Sequence, residues 1–224
     1  MLKHEPVKST RIAFVLDSSG SMMGLRDAVI KAFNEQLGAH RENIGKGGSV
    51  FFSFYTFSDN VESVLTDVPL GDLQGTLTEA EYRLGGCTAL YDGIGKAIQD
   101  LSKHDQPGDH AFLVVILSDG HENSSKKYRA QELKSKIEEL TSNGRWTFTF
   151  VGCEGVAIKD AVENLKLPSF TFKNSTDGVN SLSGKLMGAT AEYYGGRVRG
   201  LTAMANFAGA SLDLQAALNT DEDK

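Results

Sequence analysis

Ile12-Ala-Phe-Val-Leu-Asp17-Ser-Ser19-Gly-Ser21-Met contains an apolar run that ends in a turn rich in oxygen side chains. An apolar run bounded by such a turn is typical of a strand that is buried in a sheet. Asp17 therefore ends the strand, and the hydroxyls of Ser19 and Ser21 follow in the loop. One carboxylate and two hydroxyls so close together suit a hard cation such as Mg²⁺, which prefers oxygen ligands.

Two further segments carry the same kind of chemistry. A second apolar run, from His110 to Leu117, ends in Ser-Asp119-Gly. Between the two runs, the glycine-rich loop Gly85-Gly-Cys-Thr88 presents a hydroxyl immediately before a predicted helix. Each segment alone could form an ordinary turn or helix cap, so only their occurrence together indicates a common site.

Strand-like and helix-like segments alternate along most of the chain. Strand–helix alternation indicates parallel strands in a doubly wound α/β sheet, with helices on both faces. A turn at Ser58-Asp-Asn60 between two strand-like runs predicts one antiparallel hairpin at an edge. We predict strands at 11–17, 50–57, 61–65, 110–118, 145–152 and 169–172, helices at 23–39, 89–103, 126–143 and 177–194, and a weak helix from Thr78.

The three segments together resemble the metal-ion-dependent adhesion site of von Willebrand factor A domains. The matching positions come in the family's order and carry its residue types: Asp17, Ser19, Ser21, Thr88 and Asp119. The resemblance covers about residues 11 to 190. It implies a six-stranded sheet in the order 3-2-1-4-5-6, in which the strands that end in Asp17 and Asp119 are neighbours at the point where the order reverses. Ligands of open α/β sheets bind at this point.

The resemblance also implies a function. In this family the serines and the threonine coordinate Mg²⁺ or Mn²⁺, the aspartates often act through water, and an acidic side chain of a partner protein completes the shell. Intracellular bacterial proteins of this type work beside AAA-type ATPases, in chelatase-like complexes or in stress-response clusters. The implied role is a metal-dependent protein-interaction module that binds a partner's Glu or Asp carboxylate.

Two other functions are compatible with the same residues. A metal-assisted phosphohydrolase or phosphotransferase would need a nucleophile and usually a second carboxylate or a lysine beside the metal. Here Ser19 stands where that second acid would be expected, and no lysine adjoins Asp119, so we do not expect an enzyme. The other alternative is a structural adaptor of an ATPase or stress-response complex, in which the metal is incidental.

The composition limits the classes of function and the cellular locations that we expect for this protein. The 224 residues are 40% hydrophobic and 23% charged, as in an ordinary soluble globule, and the net charge of −6 argues against nucleic-acid binding. No apolar stretch is long enough to span a bilayer, and the polar N-terminus, with Pro6, does not resemble a secretory signal. The two cysteines, Cys87 and Cys153, form no Cys-x-x-Cys motif, so we expect a reducing, cytoplasmic setting.

Two segments flank the predicted domain. We divide the chain into an N-terminal segment at 1–10, the domain at 11–195 and a C-terminal tail at 196–224 that is either helical or disordered. The tail carries spaced apolar residues that could form a docking helix. Asp92, one turn after Thr88, allows two interpretations: it could orient the loop around the site, or it could be an ordinary acid of a first helical turn.

Overall fold

The fold is a six-stranded sheet with helices on both faces, as seen in a computed structural model that describes residues 9–45, 48–106, 108–153 and 163–198. The order β3-β2-β1-β4-β5-β6 confirms the predicted topology, with β3 antiparallel and the other strands parallel. The strands are β1 (Ser9–Asp17), β2 (Ser49–Phe57), β3 (Val61–Pro69), β4 (His110–Ser118), β5 (Trp146–Cys153) and β6 (Ser169–Phe172); the α-helices are α1 (Arg26–Glu42), α2 (Leu90–Leu101), α3 (Ala130–Ser142) and α4 (Thr176–Val198).

The central strand β1 divides the core into two layers. Alternate side chains of a strand point to opposite faces of the sheet. Ile12 and Phe14 pack with α1 and α4, whereas Ala13 and Val15 pack with α2 and α3. All four are buried, because helices cover both faces of the sheet. β1 therefore reads as a continuous apolar run, and its end is a fixed point on which the functional residues can be placed.

The two edge strands are short or irregular. β3 pairs with β2 through two register shifts, contains Asp67 at a positive φ of 51°, and ends at Pro69. β6 is only 4 residues long. Both features limit regular pairing along the outer sides of the sheet.

Four predicted helices differ from the observed ones. α1 spans Arg26–Glu42 rather than 23–39, because a 3-10 helix occupies Gly20–Leu25. The weak helix from Thr78 is a single turn, in which Tyr82 N–H donates to the Thr78 carbonyl at 3.1 Å and Glu81 accepts from the Thr78 amide at 3.0 Å. α3 begins at Ala130 rather than at residue 126, because Asp92 holds the preceding segment in a loop. α4 continues to Val198, so the glycines at 195 and 196 lie within the helix.

Two further features bear on the predictions. None of the helices in the described ranges is long and apolar enough to cross a membrane. The predicted docking helix or disordered tail falls on residues 199–224, which lie outside the described residues.

Polar side chains join α1 to α4 within the core layer that these two helices form with the sheet. The Gln36 side chain donates to the Ser183 carbonyl at 3.3 Å and accepts from Thr190 Oγ1 at 3.0 Å. His40 is completely buried beside it, with Nδ1 3.3 Å from the hydroxyl of Tyr194, and its Nε2 has no partner among the described residues. Burial lowers the pKa of His40 from 6.5 to about 3.

We expect this histidine to make the fold sensitive to acid. Because the folded pKa lies below the unfolded one, its contribution to stability is complete above pH 6.5 and is lost as the pH falls toward 3. The loss should approach about 1.4 kcal/mol per pH unit. Urea unfolding at pH 6.5 and pH 5 should give His40→Phe, which has no proton to bind, a smaller loss than wild type by about 2 kcal/mol. Equal losses in the two proteins would contradict the prediction.

Candidate metal centre

The first motif curls over the end of β1. Asp17 is fully buried, and its Oδ1 accepts the backbone N–H of Ser19 at 2.7 Å. Ser18 faces away from the carboxylate, since its hydroxyl donates to the Phe57 carbonyl at 3.0 Å. The loop then enters a short 3-10 helix from Gly20 to Leu25. This turn leaves the hydroxyls of Ser19 and Ser21 3.0 Å apart, on the same side as the carboxylate of Asp17.

The third motif joins the first at the end of β4. Ser21 Oγ donates to Asp119 Oδ1 at 2.7 Å, although 98 positions separate the two residues in the chain. Beside them, Ser118 Oγ donates to Asp17 Oδ2 at 2.5 Å. Both contacts follow from the pairing of β1 with β4, which aligns Leu16 with Leu117. The topology therefore brings the two aspartates and both serines of the first motif into one cluster.

Thr88 reaches the same cluster from the glycine-rich loop. A β-carbon built on Gly120 would lie 3.3 Å from Thr88 Oγ1, 3.6 Å from Ser21 Oγ and 3.9 Å from Asp17 Oδ2. A point at Gly120, in the third motif, is thus within 4 Å of oxygens from the first and second motifs. The structure brings together all five residues that the sequence singles out.

The glycine-rich loop is fastened to the first motif by its backbone. Gly85 N–H donates to the Ser18 carbonyl at 2.9 Å, and Gly20 N–H donates to the Gly86 carbonyl at 3.2 Å. Gly86 has a φ of 79°, and a β-carbon there would meet the carboxylate of Asp59. The backbone conformation therefore favours a glycine at this position, and a side chain there would also displace Asp59.

The segment after Asp119 is held by side chains that sequence reasoning largely missed. Asn123 Oδ1 accepts the Thr88 N–H at 2.8 Å, and the Asn123 N–H donates to the Thr88 carbonyl at 3.0 Å. Glu122 accepts the N–H of Tyr91 at 3.0 Å. A polar residue a few positions beyond Asp119 is the only sequence signal for these roles, and such residues are common in loops.

Asp92 is more than an acid of a first helical turn. Its carboxylate accepts three consecutive backbone N–H groups, those of Lys126 at 3.0 Å, Lys127 at 2.9 Å and Tyr128 at 3.0 Å. Asp92 also lies in the first turn of α2, where the helix dipole favours an acid. Its contacts support the first of the two interpretations, in which it positions the loop that leads away from the site.

Tyr82 supports the candidate site through a contact with the backbone of Asp17. It is fully buried, and its hydroxyl donates to the Asp17 carbonyl. Burial raises the pKa of Tyr82 well above its ordinary value, and the nearby charges of Asp17 and Asp119 act in the same direction. The phenol therefore stays protonated and acts as a hydrogen-bond donor.

The carboxylate of Asp17 is poorly compensated by protein groups alone. Burial raises its pKa to about 6, and the charge of Asp119 adds to this effect, whereas the hydrogen bonds from Ser118 and Ser19 oppose it. The cluster thus combines two acids with three hydroxyls and contains no cationic side chain. A divalent cation would neutralise the two carboxylates.

The donor set determines which kind of ion could fit. Within the described residues, no group of three His, Cys, Asp or Glu side chains is arranged to hold a metal. The candidate centre is instead built from hydroxyl and carboxylate oxygens, which suit a hard cation such as Mg²⁺ or Mn²⁺. The residues present therefore fit the ion that the resemblance implies.

The chain belongs to the von Willebrand factor type A domain family. The sequence profile of this domain matches residues 12–183, which include all three motifs and the whole sheet apart from the first three residues of β1. Domains of this family are typically adhesion or protein-interaction modules. A comparison with curated proteins gave no match.

Solved structures share the fold at low sequence identity. Proximal thread matrix protein 1 from the mussel byssus, in a structure described as having a zinc-occupied MIDAS motif, has a TM-score of 0.58 and 18% identity, over 81% of this chain and 45% of the other. A von Willebrand factor type A protein from Catenulispora acidiphila gives 0.56 and 15%, over 83% and 43%. The pilus adhesin SpaC from Lactobacillus rhamnosus GG gives 0.60 and 13%, over 86% and 31%. The chain thus spans less than half the length of each.

Proposed function

We propose that the chain is a metal-dependent protein-interaction module. Asp17, Ser19, Ser21, Thr88 and Asp119 would hold one Mg²⁺ or Mn²⁺ ion, directly or through water. The observation that carries this proposal is the convergence of the three motifs: oxygens of Asp17, Ser21 and Thr88 lie within 4 Å of one point at Gly120, and Ser21 Oγ donates to Asp119 Oδ1 at 2.7 Å. The family's usual role in adhesion and protein interaction supports it.

The bound ion would recruit the partner. Three of the five proposed ligands are neutral hydroxyls, and the two aspartates would act largely through water, so the ion would stay electrophilic at its open position and attract another anion. Ser21 is exposed and Asp119 is partly exposed, which leaves one side of the cluster open to a ligand. The ligand we propose is a Glu or Asp side chain of another protein, and the role involves binding without a catalytic step.

The cellular setting belongs to the same proposal. We place the protein in the cytoplasm, beside an AAA-type ATPase or within a stress-response complex. Its two cysteines form no Cys-x-x-Cys motif, which agrees with a reducing setting.

Calorimetric titration with Mg²⁺ and with Mn²⁺ tests the proposal, with Ser21→Ala as the first variant. Wild type should bind one ion per chain, and Ser21→Ala should bind it at least about tenfold more weakly. Loss of a direct ligand should weaken ion affinity at least as much as loss of a residue that hydrogen-bonds to a ligand, which typically weakens it about 10–100-fold. Ser21 is exposed, so we expect its removal to leave the fold intact.

Ser124→Ala is the matched control for this titration. Ser124 lies in the loop after the third motif, and its hydroxyl is directed at the Ser58 carbonyl, 3.4 Å away. Its loss should leave the ion affinity unchanged within about twofold. Equal ion affinities in Ser21→Ala and wild type, or no ion binding by wild type, would contradict the proposed function.

A further inference from the structure

A polar cavity opens beside the candidate metal centre, on the side of the β2–β3 hairpin. Its volume is about 260 Å³, and it lies between the first motif at Ser18, the hairpin turn at Ser58 and Asn60, and the segment that carries Arg83. This volume is enough for one acidic side chain. None of the five residues proposed as ion ligands lines the cavity.

Arg83 is held beside the site by its neighbours in the chain. The residue before it, Tyr82, donates its hydroxyl to the Asp17 carbonyl, and Gly85 donates its N–H to the Ser18 carbonyl at 2.9 Å. Arg83 lies between these two attachments, with its own side chain exposed. The backbone at Arg83 is therefore fixed to the loop that would hold the ion.

The guanidinium of Arg83 has unused donors. Its Nε donates to the Ala80 carbonyl at 3.0 Å, and its two terminal nitrogens have no acceptor among the described residues. The nearest acid along the chain, Glu81, already accepts the N–H and the hydroxyl of Thr78. Among the described residues no carboxylate pairs with Arg83, although Glu62 and Glu81 both line the cavity. The side chains of Ser58 and Asn60 likewise make no hydrogen bond to a described residue.

We propose that Arg83 is a second recognition point, which binds another carboxylate of the same partner segment. The inference rests on the proposed function, in which the ion binds the first carboxylate. A guanidinium presents two parallel N–H groups that match the two oxygens of a carboxylate, and Ser58 and Asn60 can complete the contact. The module then selects partners with two acidic side chains in one short segment, because a single acid can fill only one of the two positions.

Paired peptides test this inference on the full chain in Mg²⁺. The probes are acetyl-Glu-(Gly)n-Glu-amide and acetyl-Glu-(Gly)n-Gln-amide, with none to four glycines, titrated against ¹⁵N-labelled protein and followed by NMR shifts. At the best spacing, the two-acid peptide should bind wild type about fivefold more tightly than its amide partner. Arg83→Gln should abolish this difference, and Arg83→Lys should keep part of it, because an ammonium attracts an acid but cannot bind it through two parallel bonds.

Arg129→Gln is the matched control, since it removes the same charge from an exposed position before α3, away from the cavity. It should retain the full preference for two acids. Equal binding of both peptides to wild type, or an unchanged preference in Arg83→Gln, would overturn the inference and leave the proposed function standing. Conversely, an Arg83-dependent preference that persists in EDTA would support the Arg83 contact and count against the proposed role of the metal.

Discussion

Asp17→Asn should abolish binding of Mg²⁺ and Mn²⁺ without unfolding the protein. The carboxylate lies at the centre of the cluster, where its two oxygens accept hydrogen bonds from Ser19 N–H and Ser118 Oγ. An amide has nearly the same shape but no charge, so it should lose at least about 100-fold in ion affinity, or about 3 kcal/mol. Calorimetry on wild type and variant measures the loss directly.

The same substitution should not destabilise the metal-free protein. Because burial raises the pKa of Asp17 to about 6, the ionised group costs the metal-free fold free energy at pH 7. An asparagine can keep its oxygen toward Ser19 N–H and donate its amide to Ser118, whose hydroxyl also lies 3.3 Å from the Gly120 carbonyl. Urea unfolding in EDTA should therefore give Asp17→Asn a free energy of unfolding equal to that of wild type or up to about 3 kcal/mol higher. A large destabilisation would mean that the carboxylate supports the fold and would weaken its assignment to the ion.

Asp92→Ala should be the most destabilising single change at the site. The carboxylate binds three successive backbone N–H groups, and methyl replacement leaves all three without their partner. Hydrogen bonds to a charged group contribute about 1.5–3 kcal/mol each, but water can replace part of this loss because the segment is partly exposed. We expect the free energy of unfolding to fall by about 2–4 kcal/mol, as measured in urea.

Asp27→Ala separates this effect from that of the helix dipole. Asp27 is also an acid in a first helical turn, that of α1, but its side chain is 86% exposed and lies 3.7 Å from Arg26 in a surface ion pair. Its removal should cost less than about 1 kcal/mol. If Asp92→Ala lowers the free energy of unfolding by no more than Asp27→Ala does, the contacts to residues 126–128 add no stability beyond the interaction with the helix dipole.

The strands of the sheet could be predicted because they depend on patterns that are local in sequence, whereas the grouping of the candidate site also required the strand order. Each buried strand is an apolar run with its polar residue at the carboxyl end, so the positions of Asp17 and Asp119 follow from where β1 and β4 stop. The strand order came from the family resemblance rather than from the runs themselves. Given that order, the two aspartates must lie at neighbouring strand ends.

The supporting contacts could not be predicted, because they join positions far apart in sequence through common residue types. Tyr82 contacts Asp17 across 65 positions, and Asn123 contacts Thr88 across 35. Nothing in the local sequence distinguishes these side chains from ordinary loop residues. The predicted start of α3 was wrong for the same reason. Lys126 and Lys127 fit a helical pattern, but their backbone N–H groups donate to Asp92 of another helix.

The irregular edge strands have a consequence for how the protein behaves at high concentration. A regular exposed edge offers a row of free amide and carbonyl groups to which a second chain can add a strand, which is a common route to aggregation. The register shifts of β3, the left-handed backbone at Asp67 and the closing Pro69 interrupt that row, and β6 is too short to offer one. The irregular edges thereby protect the protein against self-association through the sides of its sheet.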